Sequence, residues 1–305
     1  LHPMQFLAKP HFFALAMTLL LGCGTDAART FDVQGHRGAR AVLPENSIPG
    51  FLYANALGVT TLELDVVVTA AGDVVVSHEP WLNPEICRGP EGEPLDGQPL
   101  RSLYPMPLAE IQHCDCGSQG HPRFPRQAPQ VTVKPTLAQV VDAVASGFRQ
   151  GSLPPVRFNI EIKHDAAEVG VHFPPAAQAA QAVLDEIVRL GIVERSTVQS
   201  FSASVLEAVH NANVGVTTAW LMEDERTVAE ALDLLAFKPD IYSPHHVLLT
   251  PEEVAHAHAT GLRVIPWTVN EAARMEELIG WGVDGLISDD PDLALQVVAT
   301  AQIPA

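Results

Sequence analysis

The sequence predicts an α/β protein whose eight parallel strands close into a (β/α)8 barrel. Three observations predict it. Short apolar runs alternate one for one with stretches of helical character. The chain beyond an N-terminal apolar leader is long for an ordinary domain but normal for such a barrel. Several of the runs also end in charged or amide side chains, as barrel strands do where they build a site. An open, doubly wound sheet is the runner-up.

The first 22 residues read as a leader rather than as fold, with Met4 rather than Leu1 as the expected initiator. Lys9 gives a short positive region, and 12–21 is an apolar stretch too short to span a bilayer and of signal-peptide length. The following Leu20-Leu21-Gly22-Cys23 resembles a bacterial lipobox, in which the cysteine is lipidated. The expectation is a signal peptide over 1–22, a lipidated Cys23, a tether over 23–30 and a barrel domain over 31–305. Such a protein is exported and anchored on the periplasmic side of the bacterial envelope, with ordinary secretion as the alternative and a buried N-terminal helix as the third reading.

Strands are expected at 31–35, 61–67, 156–162, 197–201, 217–221, 241–243, 263–268 and 285–288. A further extended segment, 74–77, follows the second strand after only four residues. That gap is too short for a parallel crossover, so the segment reads as a hairpin arm carrying His78. Helix ends are legible between strands. Asn46 or Ser47 caps a helix that stops at Gly58, and Thr136 with Gln139 forms a capping box. A helix over 176–190 closes at Gly191, and Thr250-Pro251-Glu252-Glu253 opens another. Eleven of the 25 prolines fall between Pro80 and Pro135. They exclude long helices and central strands there, so about 80–135 is expected to be an insertion on the rim of the barrel.

Formal net charge is −18, from 36 acidic and 18 basic residues, which argues against a nucleic-acid partner. It leaves room for an anionic substrate where positive groups converge. Apart from Cys23 there are three cysteines, Cys87, Cys114 and Cys116. An exported chain meets an oxidising compartment, so one disulfide is expected from Cys87 to Cys114 or Cys116, with one thiol left over.

Leu62-Glu63-Leu64-Asp65-Val66 carries two carboxylates one residue apart, which a strand presents on one face. Held that close, they repel and resist desolvation unless a cation neutralises them. A hard divalent ion with oxygen ligands does so. Asn159-Ile160-Glu161-Ile162-Lys163 repeats the alternation, bringing a third carboxylate and a lysine. Gly35-His36-Arg37-Gly38 ends the first strand. Three carboxylates can hold one ion, Arg37 and Lys163 suit a phosphate, and His36 with His78 can take and give a proton.

With these residues in place the chain resembles the glycerophosphodiester phosphodiesterase family. The resemblance rests on His36-Arg37-Gly38, Pro44-Glu45-Asn46-Ser47, Glu63-x-Asp65, the arm from Gly72 to His78, Glu161-x-Lys163, Trp267-Thr268-Val269-Asn270 and Gly285-Leu286-Ile287-Ser288-Asp289. It implies a TIM barrel and metal-dependent release of glycerol 3-phosphate and an alcohol from glycerophosphodiesters. It further implies His36 and His78 as the acid/base pair, with Glu63, Asp65 and Glu161 as ligands of one divalent ion, Ca²⁺ in preference to Mg²⁺. Arg37 and Lys163 would bind phosphate, and Trp267 would line the glycerol side. Ser47 and Glu79 stand where threonine and aspartate are common.

Rival readings are a phospholipase D-like activity on lysolipids and a non-catalytic lipoprotein that captures phosphodiesters. A lipid-binding version would present exposed apolar residues in the insertion, which here is polar and proline-rich. Retention of both histidines and all three carboxylates speaks against a mere binder. A metal-dependent sugar isomerase leaves Arg37 and Lys163 without a purpose. His245 and His246 follow the sixth strand and could reach a pocket, yet loop histidines are usually solvated, and His256 and His258 face different sides of a helix. His113, His121 and His172 carry no signal.

Overall fold

Each apolar run forms a strand in the computed structural model, which describes residues 31–95 and 100–302. The expected signal segment, Cys23 and the tether lie outside the described residues. The strands are β1 (Asp32–Gly35), β2 (Thr61–Val68), β3 (Val74–Val76), β4 (Arg157–Ile162), β5 (Ser196–Ser200), β6 (Thr217–Met222), β7 (Ile241–Pro244), β8 (Arg263–Val264) and β9 (Gly285–Ser288). All but β3 run parallel, in the order β8-β7-β6-β5-β4-β2-β1-β9. Backbone bonds from Asp284 N to Val264 O (2.9 Å), Ile287 N to Pro266 O (3.0 Å) and Val269 N to Ile287 O (2.9 Å) nearly close the circuit. The sequence predicts a strand over 263–268, yet β8 is regular for two residues only. Pro266 has no N–H to give, so the ladder fails where the barrel should seal.

The helices are α1 (Ile48–Leu57), α2 (Leu108–Ile111), α3 (Leu137–Arg149), α4 (Ala176–Arg189), α5 (Ala203–Ala212), α6 (Val228–Leu232), α7 (Pro251–Ala259), α8 (Ala272–Gly280) and α9 (Pro291–Thr300). Ser47 Oγ accepts from Gly50 N at the start of α1, and Gly58 ends it at φ 93°. The capping box of Thr136 and Gln139 opens α3, and Thr250 caps α7. Among the described residues, no helix is long and apolar enough to cross a membrane.

Alternation along β2 decides the register. Leu62, Leu64 and Val66 are fully buried in the main core with the helices, while Glu63 and Asp65 face the barrel interior. Burying each leucine contributes about 1.5–3 kcal/mol, and a one-residue slip would drive both carboxylates into that apolar layer. The interior itself is divided. On one side Ala219, Ile241, Ile265 and Ile287 form an apolar cluster against Trp267. On the other, β1, β2, β4 and β5 contribute Asp32, Gln34, Thr61, Glu63, Asn159 and Gln199, all buried and hydrogen-bonded to one another.

Val66, Val67 and Val68 pair antiparallel with Val76, Val75 and Val74, so β3 is the hairpin arm. Beyond it, the proline-rich segment builds a small core of its own. Leu82, Ile86, Cys87, Leu103, Met106, Ile111, Cys114 and Cys116 pack against Val67 and Val75 of the hairpin. Cys87 is bonded to Cys116, and Cys114 is a buried free thiol.

Candidate active site

The residues after β1 turn back under constraint. A Cβ on Gly35 would lie 2.3 Å from Gly38 O, and Gly38 itself has φ 88°. Arg37 adopts φ 50°, a conformation that non-glycine residues seldom take outside functional turns. It aims the Arg37 N–H at Glu63 Oε2 (2.8 Å). Asn46, at φ 53°, gives its Nδ2 to Asp65 Oδ2 (2.9 Å) and receives Asp65 N on Oδ1 (3.3 Å). Asparagine tolerates the left-handed region better than most side chains.

Glu63, Asp65 and Glu161 converge, each offering an oxygen within 4.8 Å of the other two. The pairing of Asp65 with Glu161 across β2 and β4 produces this. Burial, and then the neighbouring Asp65 charge, push the Glu63 carboxyl well above the usual range. Burial opposes the charge on Asp65 as well, but Arg37 beside it, at 3.2 Å, holds it well below. Burial raises Glu161, an effect that its contact with Lys163 Nζ (2.7 Å) only partly offsets. Asp65 Oδ1 is buried with no hydrogen-bond partner. An orphaned oxygen and a carboxylate pushed toward its neutral form are what a hard cation would relieve, so the donor set fits a divalent ion.

His36 is buried and held through Nδ1 by Asp289 Oδ1 at 2.6 Å, with Nε2 3.9 Å from Glu63 Oε2. Burial lowers its pKa from 6.5 to about 4 against the pull of Asp289, so the ring is neutral. Asp289 is itself fixed by Arg40 Nε (2.8 Å) and by Asn270 Nδ2 (2.8 Å). On the hairpin arm, Ser77 N bonds Asp65 O (3.0 Å), which carries His78 over the carboxylates. His78 is partly exposed, with Nδ1 2.9 Å from Glu79 Oε1. Burial would raise Glu79, but the bond to His78 and its charge draw it down to about 2.

These side chains share a cavity of about 510 Å³ lined by His36, Arg37, Glu63, His78, Glu161 and Lys163. Arg123, Phe201, Glu223 and Trp267 line it too. Arg37 is engaged by Glu45 (3.0 Å) and Asp65, and Lys163 by Glu161, so both reach the cavity as paired cations. Trp267 gives Nε1 to Ser243 O (2.9 Å) and sets its ring edge-on to Phe201 at 5.4 Å. His245 stands 5.1 Å from Trp267, while His246 faces a neighbouring groove of about 600 Å³ beside Arg274.

Several partners have no role in the sequence reading, although Glu45 and Asp289 stand within its motifs. Asp289 fixes His36 and Gln199 fixes Glu63 from distant segments, Glu45 holds Arg37 from eight residues along the chain, and Arg40 acts on His36 through Asp289. Asp289 and Gln199 had one available signal, a polar residue at the C-terminal end of a strand. The insertion contributes as well: Phe124 lies under the Arg40 guanidinium at 4.7 Å, and Gln127 Nε2 bonds Arg40 O (2.8 Å). His121 sits buried with Nε2 3.7 Å from Glu45 Oε2, although nothing in its sequence neighbourhood suggests it. Lys134 is wholly buried beneath the arm, its Nζ giving a bond to Ser77 Oγ (2.7 Å).

Comparison with known proteins follows the same lines. Residues 36–293 match the model of the glycerophosphoryl diester phosphodiesterase family. A glycerophosphodiester phosphodiesterase of Caldanaerobacter subterraneus subsp. tengcongensis is 27% identical over 278 residues, covering 87% of this chain and 97% of its own. One of Bacillus subtilis is 28% identical over 268 residues, covering 85% and 83%. Among solved structures, a candidate glycerophosphoryl diester phosphodiesterase of Silicibacter pomeroyi DSS-3 superposes with TM-score 0.78 at 30% identity, covering 89% of this chain and 94% of that one. An Oleispira antarctica phosphodiesterase, solved with the product sn-glycerol-3-phosphate, shares the fold with TM-score 0.70 at 20% identity, covering 88% and 97%.

Proposed function

The chain belongs to the glycerophosphoryl diester phosphodiesterase family, and on that footing we propose that it hydrolyses glycerophosphodiesters to glycerol 3-phosphate and an alcohol with one divalent cation and two histidines. The observation that carries this reading is the convergence of Glu63, Asp65 and Glu161 in the cavity that His36 and His78 also line. These three carboxylates would hold the ion, which supplies Lewis-acid polarisation of the phosphoryl group and screens its developing charge.

The protein's own groups account for the proton movements. Asp289 accepts the proton on His36 Nδ1, which leaves the Nε2 lone pair free toward the cavity. His36 therefore takes the proton of the attacking oxygen as the new P–O bond forms. His78 gives its proton to the departing alkoxide as the old P–O bond breaks, and Glu79 offers a counter-charge to its ring. Arg37 and Lys163, already oriented by their carboxylate partners, present positive charge to the phosphate. Trp267, with Phe201 against its edge, forms an apolar wall for the glycerol side.

Release of glycerol 3-phosphate from a panel of glycerophosphodiesters, with and without chelator, tests the proposal. Turnover that persists in chelator removes the ion, and no turnover with any diester removes the reaction. Ca²⁺ is proposed ahead of Mg²⁺ because three carboxylates with orphaned oxygen suit a flexible oxygen cage. Export and anchoring through Cys23 rest on the sequence of 9–23 alone. Cys23→Ser should move the protein from the membrane fraction to the soluble or uncleaved one without altering specific activity, and an intact mass lacking acyl chains in the native protein would refute the anchor.

A further inference from the structure

Among the described residues, the polar half of the barrel interior leaves Asn159 Oδ1 without a partner, as it does Asp65 Oδ1 among the carboxylates, and the isolation of the Asn159 oxygen has a cause. Asn159 of β4 lies opposite Glu63 of β2 and Thr197 of β5. Its Nδ2 gives both protons away, one to Gln34 Oε1 (2.8 Å) and one to Gln199 Oε1 (3.0 Å). Each glutamine then turns its own amide nitrogen outward to a carboxylate. Gln34 Nε2 bonds Asp32 Oδ2 (2.9 Å), and Gln199 Nε2 bonds Glu63 Oε1 (2.9 Å). Asn159, Gln34 and Gln199 are all 2% exposed or less. Asn159 Oδ1 is left buried and accepts nothing.

Buried amide oxygens are rarely left unpaired, because the desolvation is not repaid. Turning the Asn159 amide over would place Oδ1 between the two glutamines and satisfy it twice. Both glutamines would then have to reverse, setting carbonyl oxygens against the carboxylates of Asp32 and Glu63. Against ionised carboxylates, the form in which Glu63 would hold a cation, two oxygen-to-oxygen confrontations cost more than one orphan, so the end carboxylates dictate the direction of every amide between them.

We propose that Asn159 is a positioning residue for the metal-binding carboxylate: by donating to Gln199 Oε1 it ensures that an N–H, and never a C=O, meets Glu63 Oε1. Together with the Arg37 N–H on Oε2 (2.8 Å), this fixes the plane in which Glu63 is offered to an ion shared with Asp65 and Glu161. The inference rests on the reading of these carboxylates as a metal centre. Asn159 stands opposite Glu63 across the β2–β4 pairing but makes no hydrogen bond to it, and its hydrogen-bonded route to that carboxylate runs through Gln199.

The test is Ca²⁺ and Mg²⁺ binding by titration calorimetry, with thermal melting to confirm folding. The proteins are the wild type, Asn159→Leu, Gln199→Leu and the double variant, with Asn159→Ala taking the place of Asn159→Leu should that variant fail to fold. Asn159→Leu and Gln199→Leu should each weaken binding by about 10–100-fold, the usual effect of losing a group that orients a ligand. In the Gln199→Leu background, the Asn159 substitution should add less than about twofold, because its hydrogen-bonded route to Glu63 is already cut. An equal loss in both backgrounds would reveal a general packing role and overturn the proposal. Wild-type binding that Asn159 variants leave unchanged would overturn it alone, whereas a wild type that binds neither ion would overturn the metal-centre reading and the proposal together.

Discussion

His36 and Asp289, 253 residues apart in the chain, meet at 2.6 Å between Nδ1 and Oδ1 because β1 and β9 are neighbours in the barrel. The β1–β9 register sets Gly35 beside Ser288, so the residues that follow each strand emerge together at the C-terminal rim. That contact decides which imidazole nitrogen carries the proton. Asp289→Asn should lower kcat by at least about 10²-fold, comparable to losing the base itself, because an amide can turn either face to Nδ1. KM should change far less. Steady-state kinetics of the folded variant would check this, and an unchanged kcat would detach Asp289 from the mechanism.

Removal of the imidazoles gives the complementary expectation. His36→Ala and His78→Ala should each lower kcat by about 10²-fold or more, while Arg37→Ala should act mainly on substrate capture. The split between kcat and KM for the three variants, measured on one diester, separates proton transfer from phosphate binding.

The carboxylate cluster should respond in opposite senses with and without metal. Glu63 is pushed upward by burial and by Asp65, so Glu63→Gln relieves repulsion and should not lower the Tm of chelator-treated protein. The same substitution, like Asp65→Asn and Glu161→Gln, should abolish any rise in Tm produced by millimolar Ca²⁺ or Mg²⁺. A full metal-dependent rise in all three variants would rule this cluster out as the ion's site.

Glu79 gives a pH dependence with a defined sign. Its folded pKa of about 2 lies below the ordinary glutamate value of 4.5. Its contribution to stability is therefore complete above pH 4.5 and is lost as pH falls toward 2, where the unfolded chain takes up the proton first. Between pH 5.5 and pH 3 the wild type should lose more Tm than Glu79→Gln. Parallel melting curves across that range would contradict the pairing with His78.

Cys87 and Cys116 are separated by 29 positions, and closing such a loop contributes about 3–4 kcal/mol in the chain-entropy description. Reduction should therefore loosen the insertion that buttresses Arg40, lowering Tm. Cys114 is buried, and burial raises its thiol. It should alkylate only on unfolding, with Cys87 and Cys116 joining it only after reduction. Mass spectrometry of the alkylated protein distinguishes this from three free thiols.

What the sequence determined by itself is whatever the chain encodes over a few residues. The period-two pattern of Leu62 to Val66 fixes which side chains face inward, so Glu63 and Asp65 were legible as a pair before any strand had a neighbour. The short gap after β2 marked the arm that carries His78, and Thr136 with Gln139 marked the start of α3. Tertiary structure alone decided the contacts made by barrel closure and strand order. Asp289 reaches His36 and Gln199 reaches Glu63 only because distant strands become neighbours or face each other across the interior. Cys116 rather than Cys114 meets Cys87 because the insertion folds over the hairpin, and two residues of spacing cannot choose between them. The direction of the Asn159 amide depends on carboxylates at both ends of a path across β1, β2, β4 and β5, and no local pattern can contain it. Periodicity is a property of one segment, whereas a hydrogen-bond partner is a property of two, and the packed barrel is what introduces them.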